Sequence, residues 1–384
     1  MEAGVKTKRT KGISDGTETN AGRIGRAETL SVTVLSLIST GLFSAFEAGE
    51  LGTGFAAVLT RPAALLLSLA PVLAAALTLR GNGETGLGET LRIGLGKAAP
   101  IAALPLAFSL TLTAALPLAE FTGFIRSFMF DSVPTLSVLA FVIPVFAYAA
   151  LAGLEPEGRA ACILLPLAAA ALVIAILPAA HEFEPRRLLP FPSPGEAAKG
   201  VPAGVSLFLP VLSALLINLG GIGGAERAGR YAAVSAAVSA AVIFAALAAL
   251  GLVYPAPVLR GMSLPLARID FLSIKQSYAL RLDKVLAMVW LAGSMLAQAY
   301  CVYSAARLMA SSFGTPLYGP FALALSIAAG GLVLACENAL GAGRAALRLY
   351  SRAGFLLPIP TLAAGALSGV LTRRKKQAPK RTPS

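Results

Sequence analysis

Three consecutive residues inside the first apolar segment combine side chains and backbone that suit ligand binding. Ser39, Thr40 and Gly41 interrupt an apolar run that begins at Leu30, and Phe43 follows them. Small hydroxyl residues beside a glycine are typical of an interrupted membrane helix, because the freed backbone groups can then line a cavity instead of facing lipid. The same cluster also suits close packing between helices. The sequence therefore indicates either a ligand-binding break or a tight helix contact here.

A second interruption is predicted in the sixth apolar segment. Pro210 removes a backbone donor from the middle of that segment, and Ser213 follows one turn later. Two interrupted helices at corresponding positions of two halves favour a binding site near the membrane midplane. The eighth segment carries Ser294 and Gln298, and polar residues inside membrane helices usually face the interior of the bundle.

The sequence lacks the constellations that catalysis or metal binding would need. Its three cysteines, Cys162, Cys301 and Cys336, are isolated, so they predict neither a disulfide framework nor a metal site. The run GNGETGLG at residues 81–88 follows a helix and not a strand, which argues against dinucleotide binding. No nucleophile, paired carboxylates or phosphate loop stands out. We expect no enzyme, no catalytic residue, no metal and no cofactor.

Titratable residues are also predicted to avoid the middle of the membrane. Spans four to ten show no carboxylate, lysine or histidine at mid-depth, and an interfacial position is predicted for Glu47, Glu50, Glu120 and His181. Residues 153–159 are predicted to form a loop in which Glu155 and Arg159, four residues apart, pair. This pattern speaks against proton coupling, whereas a Na⁺ site made of carbonyls and hydroxyls stays open.

The composition places these residues in a multi-spanning membrane protein. Of the 384 residues, 56% are hydrophobic and only 13% are charged. A span needs about 20 mainly apolar residues. About ten such segments are predicted, at residues 28–48, 57–79, 98–125, 134–152, 160–180, 203–223, 231–253, 284–311, 319–340 and 350–371. A short helix at Leu87–Leu95 is predicted between the second and third spans.

The charge pattern gives a domain division and an orientation. Basic residues concentrate in tails at residues 1–26, predicted to be disordered, and 373–384, so both termini are predicted to be cytoplasmic. Residues 27–372 are predicted as one membrane domain, with a first repeat at 27–180 and a second at 203–340 followed by the last helix at 350–371. The net charge of +13 favours contact with the lipid bilayer over nucleic acid. Residues 254–283 are predicted to form short helices in the outer interface.

Several short motifs, in this order and spacing, resemble those of one family. They include Leu87-Gly88-Glu89-Thr90-Leu91, Gly153-Leu154-Glu155 with Arg159 and Pro166, Leu188-Leu189-Pro190, and Asp270-Phe271-Leu272-Ser273 leading to Arg281-Leu282-Asp283, Trp290 and Gly293. From about Glu28 to Leu371 the chain resembles the spore germination permeases. These are the B subunits of nutrient germinant receptors and belong to the amino acid/polyamine/organocation transporter superfamily.

The resemblance implies an all-α integral membrane protein. Its ten transmembrane helices would form a five-plus-five inverted repeat of the LeuT type with interrupted helices 1 and 6. It also implies a place in the inner spore membrane, a complex with a membrane A subunit and a lipoprotein C subunit, and recognition of a small-molecule nutrient, commonly an amino acid.

From depth and polarity we predict how the nutrient binds. The carboxylate of a zwitterion would meet backbone amides at the first break, and its side chain would be read by helices 3, 6 and 8. The predicted binding residues are Ser39, Thr40, Gly41, Leu42, Phe43, Ser109, Thr113, Phe208, Ser213, Ser294 and Gln298. Two other functions stay open: an amino-acid transporter, ion-coupled or facilitative, and a structural scaffold whose ligand binds elsewhere in the complex.

Overall fold

The computed structural model describes residues 23–44, 55–83, 85–128, 133–189, 192–259, 282–337 and 349–377. Within these ranges the chain is helical and contains no strand. The predictions for Glu47, Glu50 and most of the two tails lie outside the described residues, as does most of the segment at 254–283.

Thirteen α-helices are described, and we number them in chain order. They are α1 Arg26–Phe43, α2 Ala57–Leu79, α3 Leu87–Leu95, α4 Ala99–Phe128, α5 Thr135–Ala152, α6 Leu154–Ala179, α7 Pro194–Ile217, α8 Leu219–Ile222, α9 Ala225–Val253, α10 Ala256–Leu259, α11 Leu282–Phe313, α12 Gly319–Glu337 and α13 Pro358–Gln377. A further helical turn at residues 349–353 precedes α13. The predicted short helix between spans two and three coincides with α3.

Nine helical segments in the described ranges are long and apolar enough to cross a membrane. They correspond to nine of the ten predicted spans. The remaining span is α1, whose first turn carries Arg26 and Glu28 and which ends at Phe43, five residues before the predicted end. The protein is therefore a multi-pass membrane protein, as the sequence predicted.

Helix α1 lies in the middle of the bundle. Every residue from Val32 to Phe43 is buried, and α1 contacts α6, α7, α9 and α11. A helix that is buried on all sides belongs to the core of a large protein. The apolar segment of α7 is also central, with 83% of it buried, whereas only 28% is buried for α6 and for α12. The two helices predicted to hold the site thus pack together at the centre.

The interruptions of these two helices lie further along the chain than predicted. Helix α1 continues through Ser39, Thr40 and Gly41, and the chain becomes extended only at Ser44. Helix α7 continues through Pro210 and Ser213 and ends at Ile217. Asn218 separates it from α8, and glycines with φ of +83° and +98° then lead into α9. The predicted contact between a ligand carboxylate and backbone amides at residues 39–42 is wrong, because those amides lie within an intact helix.

Helix α7 stays intact because a distant side chain compensates for its proline. Pro210 has no N–H, so the carbonyl four residues earlier, on Ser206, loses its usual helical partner. The hydroxyl of Tyr350 donates to that carbonyl at 2.9 Å. A buried backbone carbonyl inside a membrane protein needs such a partner, and Tyr350 supplies it from the turn before α13.

Candidate functional site

One buried hydroxyl on α1 differs from its neighbours. The hydroxyls of Thr29, Thr33, Ser36 and Ser44 each donate to the carbonyl four residues earlier, at 2.7–2.9 Å. Thr40 is 0% exposed, and its Oγ1 has no hydrogen-bond partner among the described residues. A buried hydroxyl without a partner costs about 1–3 kcal/mol. Such a group is a candidate for contact with a ligand.

Gln298 on α11 provides a second unpartnered atom next to the same stretch of α1. Its Nε2 donates to Ser294 Oγ at 3.1 Å and to Ser39 Oγ at 3.4 Å. Its Oε1 is buried and has no partner in the described part of the chain. The structure thus brings Ser39, Ser294 and Gln298 together, as their polarity suggested, and Thr40 adjoins Ser39 in sequence. A free hydroxyl can donate and a free amide oxygen can accept.

Gly41 allows α7 and α9 to pack closely against α1 next to Thr40. A Cβ at this position would lie 2.6 Å from Cδ1 of Ile243 on α9 and 3.1 Å from the ring of Phe208 on α7. Both distances are too short for a side chain, so only glycine fits without movement. Phe208 is fully buried here, and the predicted residue Leu42 is buried beside it in sequence.

An aromatic cluster encloses the C-terminal end of α1. The ring of Phe43 lies 5.1 Å from those of Trp290 on α11 and Phe121 on α4, measured between centroids. The Trp290 contact is edge-to-face, a favourable aromatic geometry. Because Trp290 is the single tryptophan of the sequence, its fluorescence reports on this one place.

Arg61 is a central residue of this site that the sequence analysis missed. It lies in the second turn of α2, is 0% exposed, and donates to the backbone carbonyls of Gly41 and Ser44. The last carbonyls of a helix have no partner within that helix. Arg61 therefore stabilises the end of α1 next to Thr40. Its position, one turn inside an apolar segment, is the signal that could have identified it.

Three other predicted residues make different contacts. Ser109 and Thr113 on α4 bond the hydroxyl of Tyr350 at 3.0 and 2.8 Å, and Ser213 donates to the carbonyl of Leu209 at 2.7 Å. In the described hydrogen bonds they share no partner with Gln298 or Ser39. Ser109 and Thr113 thus form a separate group around Tyr350, and Ser213 bonds only its own helix in the described part of the chain.

The sequence analysis missed a buried carboxylate in the first turn of α6, near the end of the span and not at mid-depth. Residues 154–159 are not a loop, since only Gly153 separates α5 from α6. The predicted pair of Glu155 and Arg159 is present at 2.5 Å on the outside of α6. Glu157 lies on the opposite face, is 1% exposed, and neither carboxylate oxygen has a partner among the described residues.

Close packing of α6 against α1 explains why water does not reach Glu157. A Cβ on the next residue, Gly158, would lie only 2.9 Å from Cβ of Glu28 on α1. On the α11 side, Glu157 is within electrostatic range of Tyr300, Cys301 and Tyr303. The spacing could have indicated only that Glu157 lies on the face opposite to Glu155 and Arg159, because residues two apart on a helix point to opposite sides.

Solved structures define the class of fold. MhsT in complex with L-phenylalanine is 16% identical over 91% of this chain and 92% of its own, with a TM-score of 0.59. The manganese transporter of Eremococcus coleocola is 14% identical over 93% and 81%, with a TM-score of 0.53. Mhp1, a nucleobase-cation-symport-1 family transporter, is 12% identical over 92% and 93%, also with a TM-score of 0.53. This protein therefore has the LeuT fold of membrane transporters, with its five-plus-five inverted repeat.

The family follows from the sequence. Residues 66–328, more than half of the chain, match the family described as spore germination protein. None of the curated proteins matches the sequence. The chain belongs to the spore germination protein family, and its membrane domain is of the permease type.

Proposed function

We propose that this protein is the nutrient-binding membrane subunit of a spore germinant receptor. It binds a small zwitterion, such as an amino acid, between α1, α7, α9 and α11. Its role is recognition, not catalysis. Binding favours one arrangement of the two repeats, and this shift passes to a membrane A subunit and a lipoprotein C subunit. The protein would lie in the inner spore membrane with both termini cytoplasmic, as the basic tails favour.

The pair of unpartnered atoms on Thr40 and Gln298 is the observation that carries the proposal. An amino acid offers a carboxylate that accepts hydrogen bonds and an ammonium group that donates them. The Thr40 hydroxyl can donate to the carboxylate, and the Gln298 Oε1 can accept from the ammonium. Both are buried, so the nutrient would be held away from water, where such bonds are stronger.

The closed packing around the site also supports a conformational response. Ser39, Thr40, Phe43, Phe208, Ser294 and Gln298 are all buried. A nutrient can reach them only if α1 moves relative to its neighbours. Binding would then be coupled to helix movement, which a receptor needs in order to signal.

A binding titration tests the recognition step. The full-length protein in lipid nanodiscs would be titrated with single amino acids and sugars while the fluorescence of Trp290 is followed. We expect one amino acid, or a small group of them, to change the emission in a saturable way. The Trp290→Phe variant controls for signal that does not come from the site. Saturable binding of a sugar, with no response to amino acids, would contradict the zwitterion proposal.

A spore assay separates the receptor from its main alternative. MhsT, solved with L-phenylalanine, shares this fold, so an amino-acid transporter is the second candidate. Release of dipicolinic acid would be measured from spores lacking the gene, across a panel of nutrients, together with uptake by growing cells. Loss of one germination response with unchanged uptake supports the receptor. Reduced uptake with normal germination supports the transporter.

A further inference from the structure

A cavity at the end of the bundle where α1 and α9 begin is separate from the nutrient site. Its volume is about 400 Å³. It lies between Arg26 and Leu30 of α1 and a longer stretch of α9 that includes Arg227, Arg230, Tyr231 and Val234. No carboxylate is among the described residues that line it.

The polarity of the cavity changes in one direction along both helices. Arg26 precedes Leu30 by one turn of α1, and Arg230 precedes Val234 by one turn of α9. One turn is about 5 Å of helix axis. The three arginines that line the cavity therefore lie toward the starts of α1 and α9, and Leu30 and Val234 lie about one turn further along these helices. Val234 is exposed on the surface of the bundle.

Among the described residues, carboxylates offset only part of the positive charge at this end of the bundle. Arg230 pairs with Glu226 at 2.7 Å on the outside of α9. The carboxylate of Glu28, in the first turn of α1, accepts from the backbone N–H of Gly25 at 2.7 Å and lies 4.0 Å from Nε of Arg159 on α6. The side chain of Arg227 packs over Gly223, where any Cβ would lie 2.5 Å from its Nη1. Because Gly223 has no Cβ, the guanidinium of Arg227 can lie against its backbone, at the cavity.

We propose that this cavity binds the headgroup of an anionic phospholipid. A phosphate has the charge and the oxygens that guanidinium groups recognise. Basic pockets between membrane helices are established sites for anionic headgroups. The apolar wall favours a lipid over a free anion, because Leu30 and Val234 lie where the acyl chains would begin. Such a lipid would hold the first turn of α1 against α9. The inference does not depend on the proposed nutrient site.

The structure offers a matched control for the test. Arg159 pairs with Glu155 at 2.5 Å in the first turns of α6, as Arg230 pairs with Glu226 in the first turns of α9. The two arginine side chains are exposed to a similar extent, 69% and 74%. Of the two, only Arg230 lines the cavity, and Arg159 lies instead beside Glu28 of α1, at 4.0 Å.

The experiment measures lipid binding to the full-length protein. Purified protein would be exchanged into phosphatidylcholine nanodiscs with increasing phosphatidylglycerol, and bound lipid would be counted by native mass spectrometry. We expect the wild type to retain phosphatidylglycerol selectively. The Arg26→Gln/Arg230→Gln double variant should bind it roughly 30-fold more weakly, and Arg159→Gln should bind it as the wild type does. Circular dichroism would confirm that each variant keeps its helices.

Three outcomes would overturn the proposal. One is equal retention of phosphatidylglycerol by the wild type and the double variant. The second is an equal loss in Arg159→Gln, which would indicate a general effect of surface charge. The third is displacement of the lipid by millimolar inorganic phosphate, which would show that the cavity prefers a free anion.

Discussion

Replacement of Thr40 by valine should separate ligand binding from stability. The substitution keeps the shape of the side chain and removes only the hydroxyl, which is fully buried and has no described partner. Because an unpartnered buried hydroxyl costs about 1–3 kcal/mol, Thr40→Val should raise the free energy of unfolding by about 1 kcal/mol. A hydrogen bond to a charged group contributes about 1.5–3 kcal/mol, so nutrient affinity should fall roughly 10- to 150-fold.

Thr33→Val is the matched control. Thr33 lies on the same helix and is equally buried, but its hydroxyl donates to the carbonyl of Thr29 at 2.8 Å. It should therefore lose a little stability and keep its affinity. Affinity would be measured from the fluorescence of Trp290, and stability from thermal unfolding without nutrient.

The opposite pattern would refute the reasoning. If Thr40→Val unfolds more easily than the wild type and binds nutrient equally well, the hydroxyl has a structural partner. The proposed site would then be wrong at its central residue.

Three further substitutions test the packing that positions the site. Glu157→Met should raise the free energy of unfolding by about 1–3 kcal/mol, because no described contact is lost with the carboxylate; a lower unfolding temperature would contradict this. Gly41→Ala should cost about 1–3 kcal/mol through overpacking, and Ile243→Val in the same chain should restore part of it, as a double-mutant cycle would show. Tyr350→Phe should cost about 1–3 kcal/mol by leaving a carbonyl unpaired, and clearly less when combined with Pro210→Ala; equal costs in both backgrounds would exclude the compensation described above.

Hydropathy and local spacing predicted much of the fold. The spans follow from apolar length alone, and α3 was predicted with its observed bounds. The pair of Glu155 and Arg159 follows from a spacing of four residues on a helix. These features depend on residues close together in the chain, which is why one sequence was enough to predict them.

The errors concern contacts between residues far apart in the chain. Pro210 indicated a break, but the hydroxyl of Tyr350, 140 positions later, supplies the missing hydrogen bond. Ser109 and Thr113 have the polarity expected of residues that line a binding site, but their hydroxyls bond the hydroxyl of the same tyrosine. The burial of Glu157 depends on how closely α6 approaches α1, and no local pattern specifies that distance.

The hydroxyls of α1 bear on how this helix can move. Those of Thr29, Thr33 and Ser36 bond carbonyls of α1 itself or of the residue that precedes it. A rotation or translation of α1 as a rigid body would therefore carry both partners of each bond together and break none of them. By contrast, the hydroxyl of Tyr350 joins α4 and α7 to the turn before α13. A movement of α1 would instead break bonds that reach it from other helices, among them those from Arg61 to its last carbonyls and from Gln298 to Ser39. Movement of α1 therefore meets polar resistance at its C-terminal end, while Tyr350 holds α4 and α7 together beside it.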